Sequence, residues 1–264
     1  LARHLGSDQP VYGLQARGLD GTHRPHTDVE SMATEYIAEI RRIQPQGPYS
    51  LCGYCLGGTI AYEIAQQLRR SGDEVAVLAL FDTHSRWFRS SPLATLYRGM
   101  QQLLFHAANV AMSGPRGVGA FLWEKLNETA RRIHRRGQVS FSQLAYRLNL
   151  RDAEPLVMLE HINDRASEDY IPQSYPGRVT VFKPRKAYLG YEDPQLGWGE
   201  LAAAVDVVEL PVFPAGMLVE PFVAELARQL AMRLDQGAVA RHFSQRNGTR
   251  NGATVAPQAT TDAR

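Results

Sequence analysis

Cys55 stands in the run Gly53-Tyr-Cys-Leu-Gly-Gly58, between a short apolar stretch that starts at Tyr49 and a helical pattern from Thr59 to Leu68. A reactive side chain on a strand-to-helix turn of this kind sits on strained backbone, exposed at the top of a sheet. The N-terminus of the following helix favours negative charge, which serves a thiolate and a developing oxyanion alike. Gly53 and Gly57 are expected to leave room where a Cβ would press on the strand and the helix. Serine is the usual residue at the centre of such a turn. Cysteine is a few per cent thiolate at neutral pH and so depends less on a base.

Asp82 is the second candidate. It closes the apolar run Val75-Ala-Val-Leu-Ala-Leu-Phe81, one helix and one strand after Cys55. The two side chains are therefore expected at neighbouring strand ends, on the ligand side of an open sheet. The competing reading makes Asp82 a cap on the next segment, bonding a backbone N–H near Ser85. Cys52 and Cys55 have the C-x-x-C spacing of a thioredoxin-like site. The flanking glycines do not suit that motif, and Cys52 is expected to pack inside the strand as a small hydrophobe. His84 could swing toward the crevice or simply open the next segment at the surface. His106, His134 and His161 follow in that segment without informative spacing, and His4, His23, His26 and His242 fall in loops or near the termini. No metal-ligand cluster is apparent.

The elements that must position these residues alternate. Residues 1–6 read as the end of a helix, 11–15 as a short buried strand, and the stretch from Thr27 to Ile43 as a helix with Asp28 and Glu30 in its first turn. The elbow helix is closed by Ser71-Gly72. Strands follow at Val75–Phe81, 178–182 and 205–210, with a last helix over about 220–234. Strands that are apolar throughout and alternate with helices indicate a parallel sheet covered on both faces. From about 85 to 172 the alternation stops, with helical stretches at 93–111, 118–134 and 142–148. So long an insertion above the strand ends is expected to be a helical lid over a substrate channel. Residues 1–235 then form the domain, and 236–264, rich in Asn, Gly, Thr, Gln and Arg, a disordered tail or linker.

At 264 residues and 44% hydrophobic content, the chain has ample material for one core. A net charge of +2 gives no reason to expect nucleic acid or a membrane surface as partner. No apolar run approaches the roughly 18 residues of a membrane span, and no signal peptide is apparent; a cytoplasmic location is expected. The run Arg131-Arg-Ile-His-Arg-Arg136 is either a solvated face or a docking patch.

Seven stretches carry a resemblance: Val11-Tyr-Gly-Leu-Gln-Ala-Arg-Gly-Leu-Asp-Gly21, Gly47-Pro-Tyr49, Gly53-Tyr-Cys-Leu-Gly-Gly58, Leu78-Ala-Leu-Phe-Asp82, Tyr175-Pro-Gly-Arg-Val-Thr180, Leu196-Gly-Trp198 and Met217-Leu-Val-Glu-Pro221. From Leu1 to about Leu234 the sequence resembles the thioesterase domains that end non-ribosomal peptide and polyketide synthases. The resemblance implies an α/β-hydrolase fold, a mostly parallel sheet flanked by helices with a helical lid. The first strand and its following loop, which supplies one oxyanion N–H in this fold, are expected to be missing here. The Leu56 N–H is then the assignable oxyanion donor. By the same resemblance Cys55 is the acyl-bearing nucleophile and Asp82 the acid of the triad.

Substrate would arrive on the phosphopantetheine arm of an acyl or peptidyl carrier protein, with no cofactor or metal bound to the domain itself. Release would follow by hydrolysis, cyclisation or transfer. The resemblance also marks a departure. The family reads Gly-Asp-His where this sequence reads Val212-Phe-Pro-Ala-Gly216, so Pro214 stands at the position of the general base. The alternative is therefore an impaired relic or carrier-binding module that keeps the fold without turnover.

Overall fold

Four parallel strands form one sheet in the order β1 (Tyr49–Tyr54), β2 (Val75–Phe81), β3 (Tyr175–Pro184) and β4 (Ala202–Leu210). They come from a computed structural model that describes residues 1–20, 23–85, 100–101, 104–105, 108–109, 155–186 and 193–235. The helices are α1 (Ala2–Leu5), α2 (Val29–Ile43), α3 (Leu56–Arg70), α4 (Pro155–Asp169) and α5, residues 223–235. Asp28 is the N-cap of α2, its carboxylate accepting the Ser31 N–H at 2.7 Å. Gly72, at φ 85°, follows the end of α3 as the left-handed residue that a helix stop favours.

The sheet has helices on both faces, which explains why β2 is apolar at every position. Leu78 and Leu80 point with Val179 and Val181 of β3 toward Ala61, Tyr62 and Ala65 of α3. Val77, Ala79 and Phe81 point the other way, packing with Phe182, Val208 and Leu210 against Leu226 and Leu230 of α5. The inner layer of α2, through Val29, Met32, Tyr36 and Ile37, lies against Ile60, Ile64 and Leu68 of α3. Burial of this kind contributes roughly 1.5–3 kcal/mol per large apolar side chain.

At β1 the pattern changes. This strand pairs with β2 alone among the described strands and alternates between covered and open positions. Leu51 joins the core beneath α3, whereas Ser50, Cys52 and Tyr54 are exposed. The expectation that Cys52 packs inside the strand is thus corrected, because no described element covers its face of β1. Residues 11–15 are a second correction. They form no strand, and Tyr12 is 70% exposed with Val11 and Leu14 open beside it. Strand-forming residues become a strand only where a ladder partner exists, and none of the described strands pairs with them.

Helix α4 lies within the long insertion and is not announced by its weak apolar spacing. The helices expected at 118–134 and 142–148, most of that at 93–111, the Arg131–Arg136 run, most of the lid range 85–172 and the tail 236–264 lie outside the described residues. Among the described residues no helix is long and apolar enough to cross a membrane.

Candidate active site

The turn at Cys55 has the strain its sequence implies. Cys55 lies at φ 52° and ψ −122°, a backbone conformation that non-glycine residues seldom adopt. Three bonds hold it there. Its N–H donates to the Phe81 carbonyl at 3.1 Å, and its own carbonyl accepts the Gly58 and Thr59 N–H groups at 2.9 and 3.3 Å. The chain thereby leaves β1 and enters α3 within one residue, with the thiol exposed.

Two glycines permit this turn, and they are not quite the expected pair. A Cβ on Gly53 would overlap the carbonyl of Gly57, and one on Gly58 would overlap the side chain of Thr83. A Cβ on Gly57 would meet nothing within 4 Å. Gly53 and Gly58 are the positions without room; Gly57 faces open space.

Asp82 sits beside this elbow. Tyr54 and Phe81 are register partners in the β1–β2 ladder, so Cys55 and Asp82 each follow directly on a paired residue. Asp82 is also left-handed, at φ 45°, and its N–H donates to the Phe182 carbonyl at 2.8 Å. Near the place where the capping alternative looked for a bond, the Ser85 N–H donates to the Leu196 carbonyl at 3.0 Å.

Burial pushes the Asp82 carboxyl up to about 6. The Cys55 thiol is also pushed up, chiefly by desolvation. A hydrogen bond from the Leu56 backbone opposes that rise, and the Asp82 and Asp164 carboxylates add to it. Desolvation by the surrounding backbone and side chains raises Cys52 as well, although its residue surface is open to solvent. The elbow therefore holds a protonated thiol at neutral pH, not a preformed thiolate.

Known proteins resemble this chain in sequence and in fold. The thioesterase-domain family profile matches residues 1–116. Malpibaldin synthetase from Mortierella alpina is 51% identical over 83 residues, covering 31% of this chain and 2% of the relative. A dimodular nonribosomal peptide synthase from Bacillus subtilis (strain 168) is 41% identical over 88 residues, covering 33% of this chain and 4% of the relative. The crystal structure of a four-domain nonribosomal peptide synthetase bound to AMP and glycine superposes with a TM-score of 0.60 at 25% identity. That superposition covers 88% of this chain and 18% of the synthetase. Residues 1–116 thus match the thioesterase-domain family, and the fold is that of an α/β-hydrolase. The chain spans only a few per cent of the length of the curated relatives it matches.

The loop after β4 carries Pro214, which is buried, followed by Ala215 at φ 63°. The loop is fastened from a distant part of the chain. Asn109, fully buried, accepts the Phe213 N–H at 3.0 Å and reaches the Phe213 carbonyl at 3.5 Å. Phe105 stacks on the Phe213 ring with centroids 4.8 Å apart. No spacing rule points to Asn109 or Phe105, because their partner lies about a hundred residues on.

Several histidines face carboxylates elsewhere: His4 with Glu220 at 2.7 Å, His23 with Asp20 at 3.5 Å, and His26 with Glu35. His84 is half-buried two residues beyond Asp82. His106, His134, His242 and the side chain of His161 lie outside the described residues. Among the described residues no cluster could hold a metal ion.

Proposed function

We propose that this chain is a thioesterase-type domain that takes an acyl or peptidyl group from the phosphopantetheine thioester of a carrier protein onto Cys55 and then releases it. The observation that carries this reading is the elbow itself, with Cys55 strained at φ 52° and its thiol open at the start of α3. The Cys55 sulfur adds to the thioester carbonyl, and the oxyanion forms beside the Leu56 N–H at the positive end of the helix. Collapse expels the pantetheine thiolate, which takes the proton that left Cys55. One thioester replaces another, so loading is nearly balanced in free energy.

Release needs an acceptor: water, an amine or a hydroxyl. In this reading Asp82 keeps the place of the triad acid, while Pro214 supplies no base. Water is a weak nucleophile without one, so the chemistry favours transfer to an amine or an intramolecular acceptor. The carrier protein is the partner, delivered within a synthase of the kind the relatives represent.

A second reading is favoured by the buried Pro214: a domain that loads but no longer turns over. One experiment addresses both. The protein and its Cys55→Ala variant are incubated with an acyl-pantetheine thioester, and intact mass is followed with time. One acyl adduct on the wild type and none on the variant is the expected result. Absence of any adduct, or an adduct that persists in the variant on Cys52, overturns the acyl-transfer reading. An adduct that neither water nor an added amine removes establishes the second reading.

A further inference from the structure

The peptide that carries Asp82 is held from above and below. Thr83, 1% exposed, presses its side chain onto Gly58 at the start of α3 and donates its hydroxyl to the Phe81 carbonyl at 3.0 Å. That carbonyl is the one that accepts the Cys55 N–H. On its other side, the Thr83 carbonyl accepts the indole N–H of Trp198 at 2.8 Å. Trp198 is completely buried, and its ring lies 4.4 Å from that of Tyr62, about two turns along α3 from the elbow.

The turn that presents Trp198 is itself braced. The Asp193 carboxylate accepts the Gln195 and Gly197 N–H groups at 2.9 and 2.5 Å, and Leu196 and Gly197 sit at φ 52° and 82°. A Cβ on Gly197 would overlap the Ser85 hydroxyl, so this turn closes directly onto the segment after Asp82. A left-handed aspartate persists only where its surroundings over-determine it. Here the surroundings are Trp198, Thr83 and the elbow helix.

We propose that Trp198 is a positioning residue: with Thr83 it forms a buried strut that fixes the Asp82 carboxylate against the Cys55 elbow. The proposal rests on the reading of Cys55 and Asp82 as partners in acyl transfer. Neither Trp198 nor Thr83 touches the reacting atoms in this account. Removing the indole donor leaves the Thr83 carbonyl buried and unpaired. The peptide can then relax, Asp82 can return to negative φ, and its carboxylate can turn toward water.

Trp198→Phe keeps a ring against Tyr62 and deletes only the donor; Thr83→Val keeps the shape of Thr83 and deletes its hydroxyl. Each is compared with wild type and with Val208→Ala, a core truncation on the face of the sheet opposite Trp198 that serves as a control for lost stability. The readouts are the acylation rate from an acyl-pantetheine thioester and the pH profile of Cys55 alkylation by iodoacetamide, resolved by peptide mapping. The wild-type profile should bend near pH 6, where Asp82 ionises beside the thiol. In Trp198→Phe the bend should move down toward the ordinary carboxylate range, and acylation should slow about ten- to a hundredfold. Val208→Ala should keep both properties whatever its melting point.

A Trp198→Phe profile and rate equal to those of Val208→Ala overturn the proposal. If Trp198→Phe does not fold, the same readouts on Thr83→Val decide. If wild type takes no acyl group, the acyl-transfer reading fails, but the position of the alkylation bend still decides whether Trp198 places Asp82.

Discussion

The amide of Cys55 donates to the carbonyl of Phe81 at 3.1 Å, so the elbow residue is hydrogen-bonded to the very peptide that leads into Asp82. The two left-handed residues of the candidate site, Cys55 at φ 52° and Asp82 at φ 45°, are therefore joined through one acceptor. Strain on either side of that bond is shared, and the two side chains leave adjacent strands at the same level.

This proximity has a consequence for thiol reactivity. Desolvation leads the rise of the Cys55 pKa, and the Asp82 carboxylate adds to it. Asp82→Asn should therefore speed alkylation of Cys55 at pH 7–8, by up to about tenfold for one pKa unit. Peptide-resolved iodoacetamide kinetics would measure it, with the exposed Cys52 as an internal reference. Slower alkylation in the variant would show instead that Asp82 organises a base for the thiol.

The same carboxyl links stability to pH. Its value rises from the ordinary 3.8 to about 6 on folding, so the folded state holds this proton more tightly than the unfolded chain does. The favourable contribution is complete below the unfolded value and is lost as pH rises from about 4 to about 6. Two pKa units correspond to at most about 3 kcal/mol. Asp82→Asn should accordingly be more stable than wild type at pH 7.5, with the difference vanishing near pH 4. Denaturant titrations across that range would show converging midpoints; parallel curves would contradict the raised value.

The elbow glycines should not respond alike. Gly57→Ala adds a good helix former in open space on α3 and should be neutral or stabilising by about 0.5–1 kcal/mol. Gly58→Ala forces a Cβ onto Thr83, and Gly53→Ala forces one onto the Gly57 carbonyl; each should cost about 1–3 kcal/mol or more. Thermal unfolding of the three variants is the measurement, and equal losses would refute the assignment of space at the turn.

Pro214 offers a test of release. Pro214→His should speed hydrolysis of an acyl group on Cys55, provided the ring reaches between Cys55 and Asp82. The position is buried and the next residue is left-handed, so the loop must make room for it. Wild-type adduct decay in water and in an added amine supplies the comparison. Rapid wild-type hydrolysis with no amine preference would refute the transfer reading and point to another base.

Elements buried on both sides were legible in the sequence. The apolar run Val75–Phe81 matches β2 at both ends, and the elbow with its helix falls where the glycines and apolar spacing indicate. Features that depend on a partner were not. Residues 11–15 have strand-like chemistry without a ladder, and Cys52 faces outward because its side of β1 has no described cover. Gly57 and Gly58 look equivalent in sequence; only the approach of Thr83 separates them. Asn109 and Phe105 gain their meaning from Phe213, with nothing local to mark it.

The Asn109–Phe213 contact makes one backbone proton a gauge of tertiary docking. The Phe213 amide is held by a side-chain oxygen from a separate segment, so its exchange with solvent deuterium reports whether Asn109 is seated on the loop. Anything long enough to lift that segment must also unstack Phe105 and free the peptide next to Pro214. The two regions are mechanically one part, so a displacement of Phe105 and Asn109 is carried directly to the loop that holds Pro214.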